Sequence, residues 1–253
     1  MTRFVTLLAT LLFFALPAKA EQIVAGLSQN AVQITATFVG SEILIFGAVK
    51  RDAPAPESDL GVIVVVEGPS HPITVRKKEK RAGIWVNTDS VEVNAAPSFY
   101  AIATSAPFEE LLNESVDRAL HISIPESIRI FESPHVADPE AFAAAVQRIR
   151  EDQGLYSFNE GGVRLEANTL FDAHVDLPAN LTEGAYKARI YLTRDGKVVS
   201  SHVADIDVRK VGLERWLYNF AHEQAFWYGI MSLVIAVVAG WSASTFFRVF
   251  FNS

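Results

Sequence analysis

The sequence predicts a mainly β protein, an immunoglobulin-like β-sandwich with a helical insertion, followed by one C-terminal transmembrane helix. Three observations indicate this fold class. Runs in which apolar and polar side chains alternate occur on both sides of a central helical stretch. An Asp-Gly pair, the strongest short signal for a β-hairpin, divides the last two runs. Residues 224–247 carry no charge, as a membrane-spanning helix requires.

Residues 1–20 are typical of a secretory signal peptide. Arg3 precedes an apolar run at residues 4–16, and small residues stand at Ala18 and Ala20. The apolar run is short for a bilayer, so cleavage after Ala20 is favoured over the alternative of an uncleaved anchor.

The first half of the body predicts short strands. Residues 32–38 and 42–46 alternate around a Gly-Ser pair and predict a hairpin. Residues 61–67 are a β-branched run, which is typical of a strand buried on both faces. Four further strands are predicted at residues 71–76, 83–87, 91–93 and 99–104.

The middle of the chain, at about residues 107–154, predicts the helical insertion. Its strongest helix has Asp138 as N-cap and Pro139 at the first helical position. Phe142, Val146 and Ile149 recur at helical spacing and predict one apolar stripe, and a glycine follows the helix.

After the insertion, strands are predicted at residues 163–167, 170–177, 184–192 and 197–209. The Gly-x-Tyr start of the third, followed by the Asp-Gly turn, resembles the last strands of immunoglobulin-like sandwiches. We therefore expect one domain over residues 21–211. Two smaller β domains that flank the helical insertion are the alternative.

The C-terminal region predicts a membrane anchor in three parts. Residues 212–223 form an amphipathic juxtamembrane helix, and residues 224–247 form a transmembrane helix about 36 Å long, enough to cross a hydrocarbon core of about 30 Å. Residues 248–253 are a short tail in which Arg248 is the charged residue. A cleaved signal and Arg248 predict a single-pass protein of the bacterial inner membrane with a periplasmic body and a cytoplasmic C-terminus.

Composition excludes several classes of function. The formal charge is −7, and an acidic body argues against binding to nucleic acid. The chain has no cysteine, which excludes disulfides, iron–sulfur clusters and cysteine catalysis. The six histidines are scattered, and the pair His174 and Asp176 is better interpreted as an exposed polar face than as a metal site. We expect no metal, no cofactor and no catalytic residues.

Two groups of residues are candidate contact sites. A cluster of five basic residues stands out on the acidic chain: Arg76, Lys77, Lys78, Lys80 and Arg81. Together with nearby Trp85 it predicts either a solvated loop between two strands or a contact for an anionic ligand, lipid headgroups or an acidic partner. Within the predicted span, Ala236, Gly240 and Ser244 place small side chains on one helix face, which favours close packing against another helix.

Several segments carry a resemblance to a known family. They are residues 45–48, 75–78, 83–87, 99–100, 177–181, 221–222, 228–229 and 239–241. The chain resembles a family of alphaproteobacterial transmembrane proteins of about 250 residues, each with a signal peptide, a periplasmic β-rich body and a C-terminal span. The family has no established activity. The resemblance implies a context beside sulfite-exporter-type permeases.

We therefore expect a non-enzymatic accessory or interaction subunit of a membrane complex, with the lipid bilayer and a polytopic membrane protein, such as a small-anion transporter, as its partners. A membrane-anchored periplasmic hydrolase and a passive structural or adhesion module are the alternatives.

Overall fold

The computed structural model of the protein describes residues 21–35, 37–51, 58–130, 138–212, 217 and 220–251. The predicted signal peptide and most of the predicted juxtamembrane helix lie outside this described part. The chain divides into two units. The first comprises Met1–Val32 and Val39–Arg209, and the second comprises Gln33–Phe38 and Lys210–Ser253.

The prediction of a mainly β protein is confirmed, with three sheets in the described part of the chain. The four-stranded sheet has the order β1 (Gln22–Leu27), β3 (Ser41–Lys50), β11 (Leu170–Leu177), β10 (Val163–Glu166). The six-stranded sheet has the order β2 (Ala31–Ile34), β13 (Lys197–Lys210), β12 (Gly184–Arg194), β4 (Gly61–Glu67), β7 (Tyr100–Thr104), β9 (Tyr156–Asn159). The three-stranded sheet has the order β5 (Ser70–Arg81), β6 (Ile84–Pro97), β8 (Arg129–Ile130).

The core lies where strand β11 contacts β4 and β7, which brings the four-stranded and six-stranded sheets together. Ile43 and Ile45 on β3 and Ala173 on β11 have no exposed surface. Strand β4 is buried on both faces, because the helix Phe108–Leu111 contacts it as well as β11. The prediction made from its β-branched run is therefore confirmed. The immunoglobulin-like detail of the topology stays a prediction.

All described helices of the first unit lie between β7 and β9, within the predicted helical insertion. They are α1 (Phe108–Leu111), α2 (Glu114–Leu120), α3 (Ile124–Ser127) and α4 (Pro139–Asp152). The predicted caps of α4 are present, since Asp138 Oδ1 accepts a hydrogen bond from Ala141 N at 3.1 Å. Its apolar stripe is shorter than predicted: Phe142 and Val146 are buried, whereas Ile149 is 47% exposed.

The predicted hairpin between residues 32–38 and 42–46 is wrong. Both segments contain strands, but β2 lies at one edge of the six-stranded sheet beside β13, and β3 pairs with β1 and β11 in the four-stranded sheet. The alternation of side chains specifies a strand and its buried face, but it carries no information on which strand will be its neighbour.

The second unit contains helix α5 (Ala225–Phe251). Its segment Ala225–Ser244 has a mean hydropathy of 1.7 and is the helix of the described chain that is long and apolar enough to cross a membrane. None of that segment is buried inside the protein. At its start, the rings of Phe220 and Tyr228 meet edge to face, with centroids 6.4 Å apart.

Candidate functional site

The basic cluster lies on a long two-stranded hairpin formed by β5 and β6. The strands are joined by a two-residue turn, in which Ala82 and Gly83 have φ angles of 50° and 86°. Positive φ at both positions is the geometry of a type I′ turn, the connection that matches the twist of a β-hairpin. The interpretation of the cluster as a loop is therefore wrong, because residues 76–81 belong to strand β5 and pair with β6.

The hairpin register divides the five basic side chains between two faces. Successive side chains of a strand point to opposite faces, so Arg76, Lys78 and Lys80 share one face. Lys80 is the cross-strand partner of Trp85, and Lys78 is the partner of Asn87. We call this the outer face. The three basic side chains of this face and their partners Trp85 and Asn87 are all exposed.

The opposite face, which we call the inner face, continues into the core at its base. There Ile73 and Val75 pair with the buried Val93 and Val91. Nearer the turn, Glu79 forms ion pairs with the two remaining basic residues, at 3.1 Å to Lys77 Nζ and 3.5 Å to Arg81 Nη2. The hydrogen bond from Lys77, with a weaker one from Arg81, holds the pKa of the Glu79 carboxyl below its ordinary value.

A β-bulge at Thr88 places the carboxylate of Asp89 on the inner face. Lys78 pairs with Asn87 but Lys77 pairs with Asp89, so one residue of β6 has no partner on β5. Because of this shift, Asp89 lies opposite the inner-face Lys77 rather than among the outer-face cations. The outer face carries no carboxylate between Trp85 and Ser90.

The turn offers a test of the hairpin geometry. Ala82→Gly should raise the stability of the hairpin by about 0.5–1 kcal/mol. The left-handed conformation costs an L-residue about 1–2 kcal/mol, and glycine removes this cost but loses more backbone entropy on folding. Gly83→Ala should lower it by a similar amount, since a Cβ there meets no atom within 4 Å and the cost is that of the backbone alone. Hydrogen exchange of the β5 and β6 amides measures both. Equal exchange in the two variants would contradict the type I′ turn.

The second candidate face lies on helix α5. Ala236, Gly240 and Ser244 are exposed and recur at intervals of four residues along one side. A neighbouring hydroxyl is satisfied within the helix, because Ser242 Oγ donates to Val238 O at 2.7 Å. The small-residue face thus lies on a helical segment, Ala225–Ser244, of which no part is buried inside the protein.

The pair His174 and Asp176 does not stand alone on its strand. His174 Nδ1 contacts the Glu42 carboxylate, and His174 Nε2 lies 3.9 Å from Asp172 Oδ2, which also accepts a hydrogen bond from Arg164 at 3.0 Å. No group of three or more acidic or histidine side chains in the described chain is placed to hold a metal ion. These contacts form a surface network of polar and ionisable side chains between β3, β10 and β11.

A partly buried polar cluster around Arg189 was not predicted from the sequence. The guanidinium of Arg189 lies 2.9 Å from Glu67 Oε2 and donates to the hydroxyls of Tyr100, at 2.8 Å, and Tyr191, at 3.2 Å. Tyr100 in turn donates to Ile122 O at 2.8 Å. Burial raises the pKa of the Tyr100 hydroxyl well above its ordinary value, although the charge of Arg189 opposes the effect. The cluster connects three central strands to the segment after α2.

A second, largely buried cluster joins the start of the body to two distant strands. Glu21 forms ion pairs with Arg51, at 2.6 Å, and with Arg194, at 3.0 Å, and each of the three side chains keeps less than a sixth of its surface exposed. Burial alone would raise the pKa of Glu21, but the hydrogen bonds from Arg51 and Arg194 outweigh it and hold the pKa below its ordinary value of 4.5.

The signals that could have revealed these clusters are weak. Arg189 sits in a strand between two apolar residues, and Lys187, Arg189 and Tyr191 share a face by alternation. That pattern also describes a solvated face, as Lys187 itself shows by being exposed. Glu21 follows the predicted cleavage site, which gives no reason to expect it in the interior.

Comparisons with known proteins give one clear relationship. The model of a family described as "Putative transmembrane protein (Alph_Pro_TM)" matches residues 22–249. A search of curated proteins found no significant match. The crystal structure of Spo0M, a sporulation control protein from Bacillus subtilis, is similar over 76% of this chain and 50% of that chain, with 10% identity and a TM-score of 0.26. This chain thus spans about half of that protein, and so weak a likeness adds nothing to the fold or the function.

The family match covers nearly the whole described chain, including β1, the β5–β6 hairpin and most of α5. It agrees with the resemblance noted in the sequence and with the one apolar helix near the C-terminus. The protein is membrane-associated and belongs to this family of alphaproteobacterial transmembrane proteins.

Proposed function

We propose that the protein is a non-enzymatic accessory or interaction subunit of a membrane complex, docked through α5 on a polytopic membrane protein. The observation that supports this is the small-residue face of Ala236, Gly240 and Ser244 on the helical segment Ala225–Ser244, which has no buried portion. Helices in lipid associate through van der Waals packing, which small side chains permit by letting two backbones approach closely.

The geometry of α5 suits a helix contact along one line. Residues four apart on a helix are separated by about 6 Å along its axis and lie on nearly the same side, so the three positions extend over about two turns. The opposite side carries larger side chains, among them Val234 and Val238, both more than half exposed. A partner helix would therefore approach most closely at Gly240.

The hairpin supplies a second contact surface in this proposal. Arg76, Lys77, Lys78, Lys80, Arg81 and Trp85 form the ligand or partner contact predicted from the sequence, with the division between faces described above. The fold holds this hairpin at its base through the buried Val91 and Val93, while its turn carries exposed cationic and aromatic side chains. Such an arrangement suits contact with another surface better than catalysis.

The expected location of the complex is the bacterial inner membrane. A cleaved signal peptide would send the first unit to the periplasm, and α5 would stop transfer with Arg248 on the cytoplasmic side. The identity of the polytopic partner as a small-anion transporter of the sulfite-exporter type follows from the family resemblance and is part of the proposal.

A substitution in α5 tests the docking contact. Gly240→Leu should reduce the amount of multi-span protein recovered with the chain after in-membrane crosslinking by about tenfold, the change that about 1.4 kcal/mol of lost packing produces. Val238→Leu is the matched control, because it adds one methylene group on the opposite side of the same helix and should leave recovery unchanged. Mass spectrometry of the crosslinked products identifies the partner.

The proposal would be contradicted if native membranes yielded the monomer alone and Gly240→Leu changed nothing. Recovery of a second copy of this chain, in place of a different multi-span protein, would also contradict it and would assign the small-residue face to self-association.

A further inference from the structure

Toward its turn, the β5–β6 hairpin has no third strand beside it among the residues that the structure describes. Strand β8 pairs with β6 at Val93 and Ala95, near the base. Toward the turn, β5 and β6 pair with each other. Every outer-face side chain from Thr74 to Lys80 is exposed. This half of the hairpin is thus free to contact a surface without rearrangement of the core.

Toward the turn, the charge on the outer face is of one sign. Lys78 and Lys80 have no carboxylate opposite them, since Glu79 and Asp89 lie on the inner face with Lys77 and Arg81. The outer-face carboxylate of Glu92 lies nearer the base, opposite Thr74. A cation paired to a neighbouring carboxylate gains little from an external anion, whereas an unpaired exposed cation keeps its full attraction. The register therefore concentrates the available positive potential on one side of the hairpin.

The tip of the hairpin adds large apolar side chains to this charge. Trp85 is 68% exposed and Ile84 is 64% exposed, although both follow a turn in which polar residues are usual. A tryptophan beside lysine and arginine is the combination enriched at membrane–water interfaces, where the indole lies at headgroup depth and the cations meet phosphate. An acidic protein surface would satisfy the cations but does not require the exposed tryptophan.

We propose that the outer face of this hairpin binds the anionic phospholipid headgroups of the membrane in which α5 anchors the same chain. Lys78 and Lys80 contact lipid phosphates, and Trp85 enters the headgroup region between them. This inference names the ligand of the hairpin contact and rests on that part of the proposed function, but it does not depend on the polytopic partner.

The membrane anchor α5 allows a weak contact between the hairpin and lipid to be populated. A few basic residues and one tryptophan bind a membrane weakly on their own. Because α5 holds the chain at the bilayer, the contact becomes intramolecular and the effective lipid concentration is high, so modest affinity is sufficient. The acidic balance of the whole chain does not oppose this, since charges beyond a Debye length of about 8 Å are screened at physiological salt.

Because the chain has no cysteine, a single introduced cysteine can be labelled specifically. Full-length protein with Asn87→Cys carries a spin label on the outer face, and Val24→Cys places a control label at a 59% exposed position on β1. Each is reconstituted into liposomes of phosphatidylcholine alone, or of phosphatidylcholine with one third phosphatidylglycerol. Collision with oxygen and with a water-soluble nickel complex measures the fraction of label in the membrane.

The label at residue 87 should enter the membrane in phosphatidylglycerol liposomes and not in phosphatidylcholine liposomes, and the label at residue 24 should stay in water in both. The charge-matched variants are Lys78→Gln/Lys80→Gln on the outer face and Lys77→Gln/Arg81→Gln on the inner face. Each lysine near an anionic surface strengthens binding by about fivefold. Loss of the outer pair should therefore lower the ratio of bound to free hairpin by about 25-fold. The inner pair should lower it by a much smaller factor.

Three results would overturn the inference. Residue 87 could remain in water in both liposomes, it could enter both equally, or the two charge-matched variants could lose binding to the same extent. Protection of residue 87 that requires native membrane protein instead of pure lipid would assign the face to an acidic protein partner. Pure liposomes contain no polytopic protein, so a positive result here stands even if Gly240→Leu leaves partner recovery unchanged.

Discussion

Glu21→Gln is expected to lower the free energy of unfolding of the first unit by about 3–5 kcal/mol, the cost of removing one partner from a buried ion pair. The substitution keeps the size of the side chain but leaves Arg51 and Arg194 close together with no counter-charge, and Arg194 keeps only 8% of its side-chain surface exposed. For a domain of this size the midpoint of thermal unfolding should fall by about 10 °C. Circular dichroism of the full-length protein in detergent measures this change through the strand signal.

The control for this prediction is Glu42→Gln, which removes a carboxylate paired with His174 on the surface. Both side chains of that pair are more than half exposed, so the change should stay below about 1 kcal/mol. Mass spectrometry of each sample identifies the first residue of the mature chain, because Glu21 adjoins the predicted cleavage site. Equal midpoints for the two variants would mean that the Glu21 cluster does not stabilise the fold.

The Glu21 cluster also predicts an acid dependence. The folded pKa of Glu21 lies below its ordinary value of 4.5, so the unfolded chain binds the proton first as pH falls. The stabilisation is therefore complete above pH 4.5 and is lost as pH falls through the folded pKa. The difference in midpoint between the native protein and Glu21→Gln should be constant near neutral pH and should shrink in acid. A difference that persists unchanged at pH 3 would contradict this account.

Arg189→Met is expected to destabilise the first unit by about 3 kcal/mol, near the lower end for a broken buried pair because Glu67 is partly exposed. The substitution removes the ion pair to Glu67 and the hydrogen bond to the Tyr100 hydroxyl, while methionine fills part of the volume. The segment after α2 should loosen first, because Tyr100 and Arg189 bond its carbonyl groups. Urea unfolding gives the free energy, and hydrogen exchange reports the loss of protection near Ile122.

Lys187→Met is the matched control, since it makes a similar change two residues earlier on the same face, where the side chain is exposed. Its effect should lie within about 0.5 kcal/mol of zero. The double variant Arg189→Met/Glu67→Met should recover part of the loss, because replacing both members of a buried pair by apolar residues is often nearly neutral. If Arg189→Met and Lys187→Met unfold at the same urea concentration, the cluster is not a source of stability.

Local signals in the sequence predicted most of the individual elements. The β-branched run of β4, the Asp-Gly turn between β12 and β13, and the caps of α4 each depend on residues within a few positions of one another. Such signals act through backbone conformation and are present before the chain folds. The apolar helix α5 is the extreme case, since length and composition alone identify it as a candidate span.

The pairing of distant strands could not be predicted from such local signals. The sequence joined β2 and β3 into one hairpin, whereas each pairs with strands far along the chain. Strand β9 runs parallel to β7 across the whole helical insertion, and no local pattern indicated it. Which strands become neighbours depends on how all the apolar faces are buried at once, and that is a property of the complete fold.

The candidate site shows the same limit. The sequence identified Arg76, Lys77, Lys78, Lys80, Arg81 and Trp85 as a group and indicated that they could not all face one ligand. The register placed Trp85 on the outer face with Lys78 and Lys80, while Glu79 pairs with Lys77 and Arg81 on the inner face. The bulge at Thr88 placed Asp89 on the inner face as well. A shift of one residue in β6 would have placed Asp89 among the outer-face cations.

By itself the sequence determined that this protein is a β-rich body with a helical insertion and one apolar helix near its C-terminus, because alternation, capping residues and missing charge are local properties. The tertiary structure alone decided that Glu21 lies between Arg51 and Arg194, that Arg189 lies against Glu67, and that the hairpin cations divide between two faces. These arrangements join residues distant in the chain or depend on strand register, and both are set by the packing of the whole molecule.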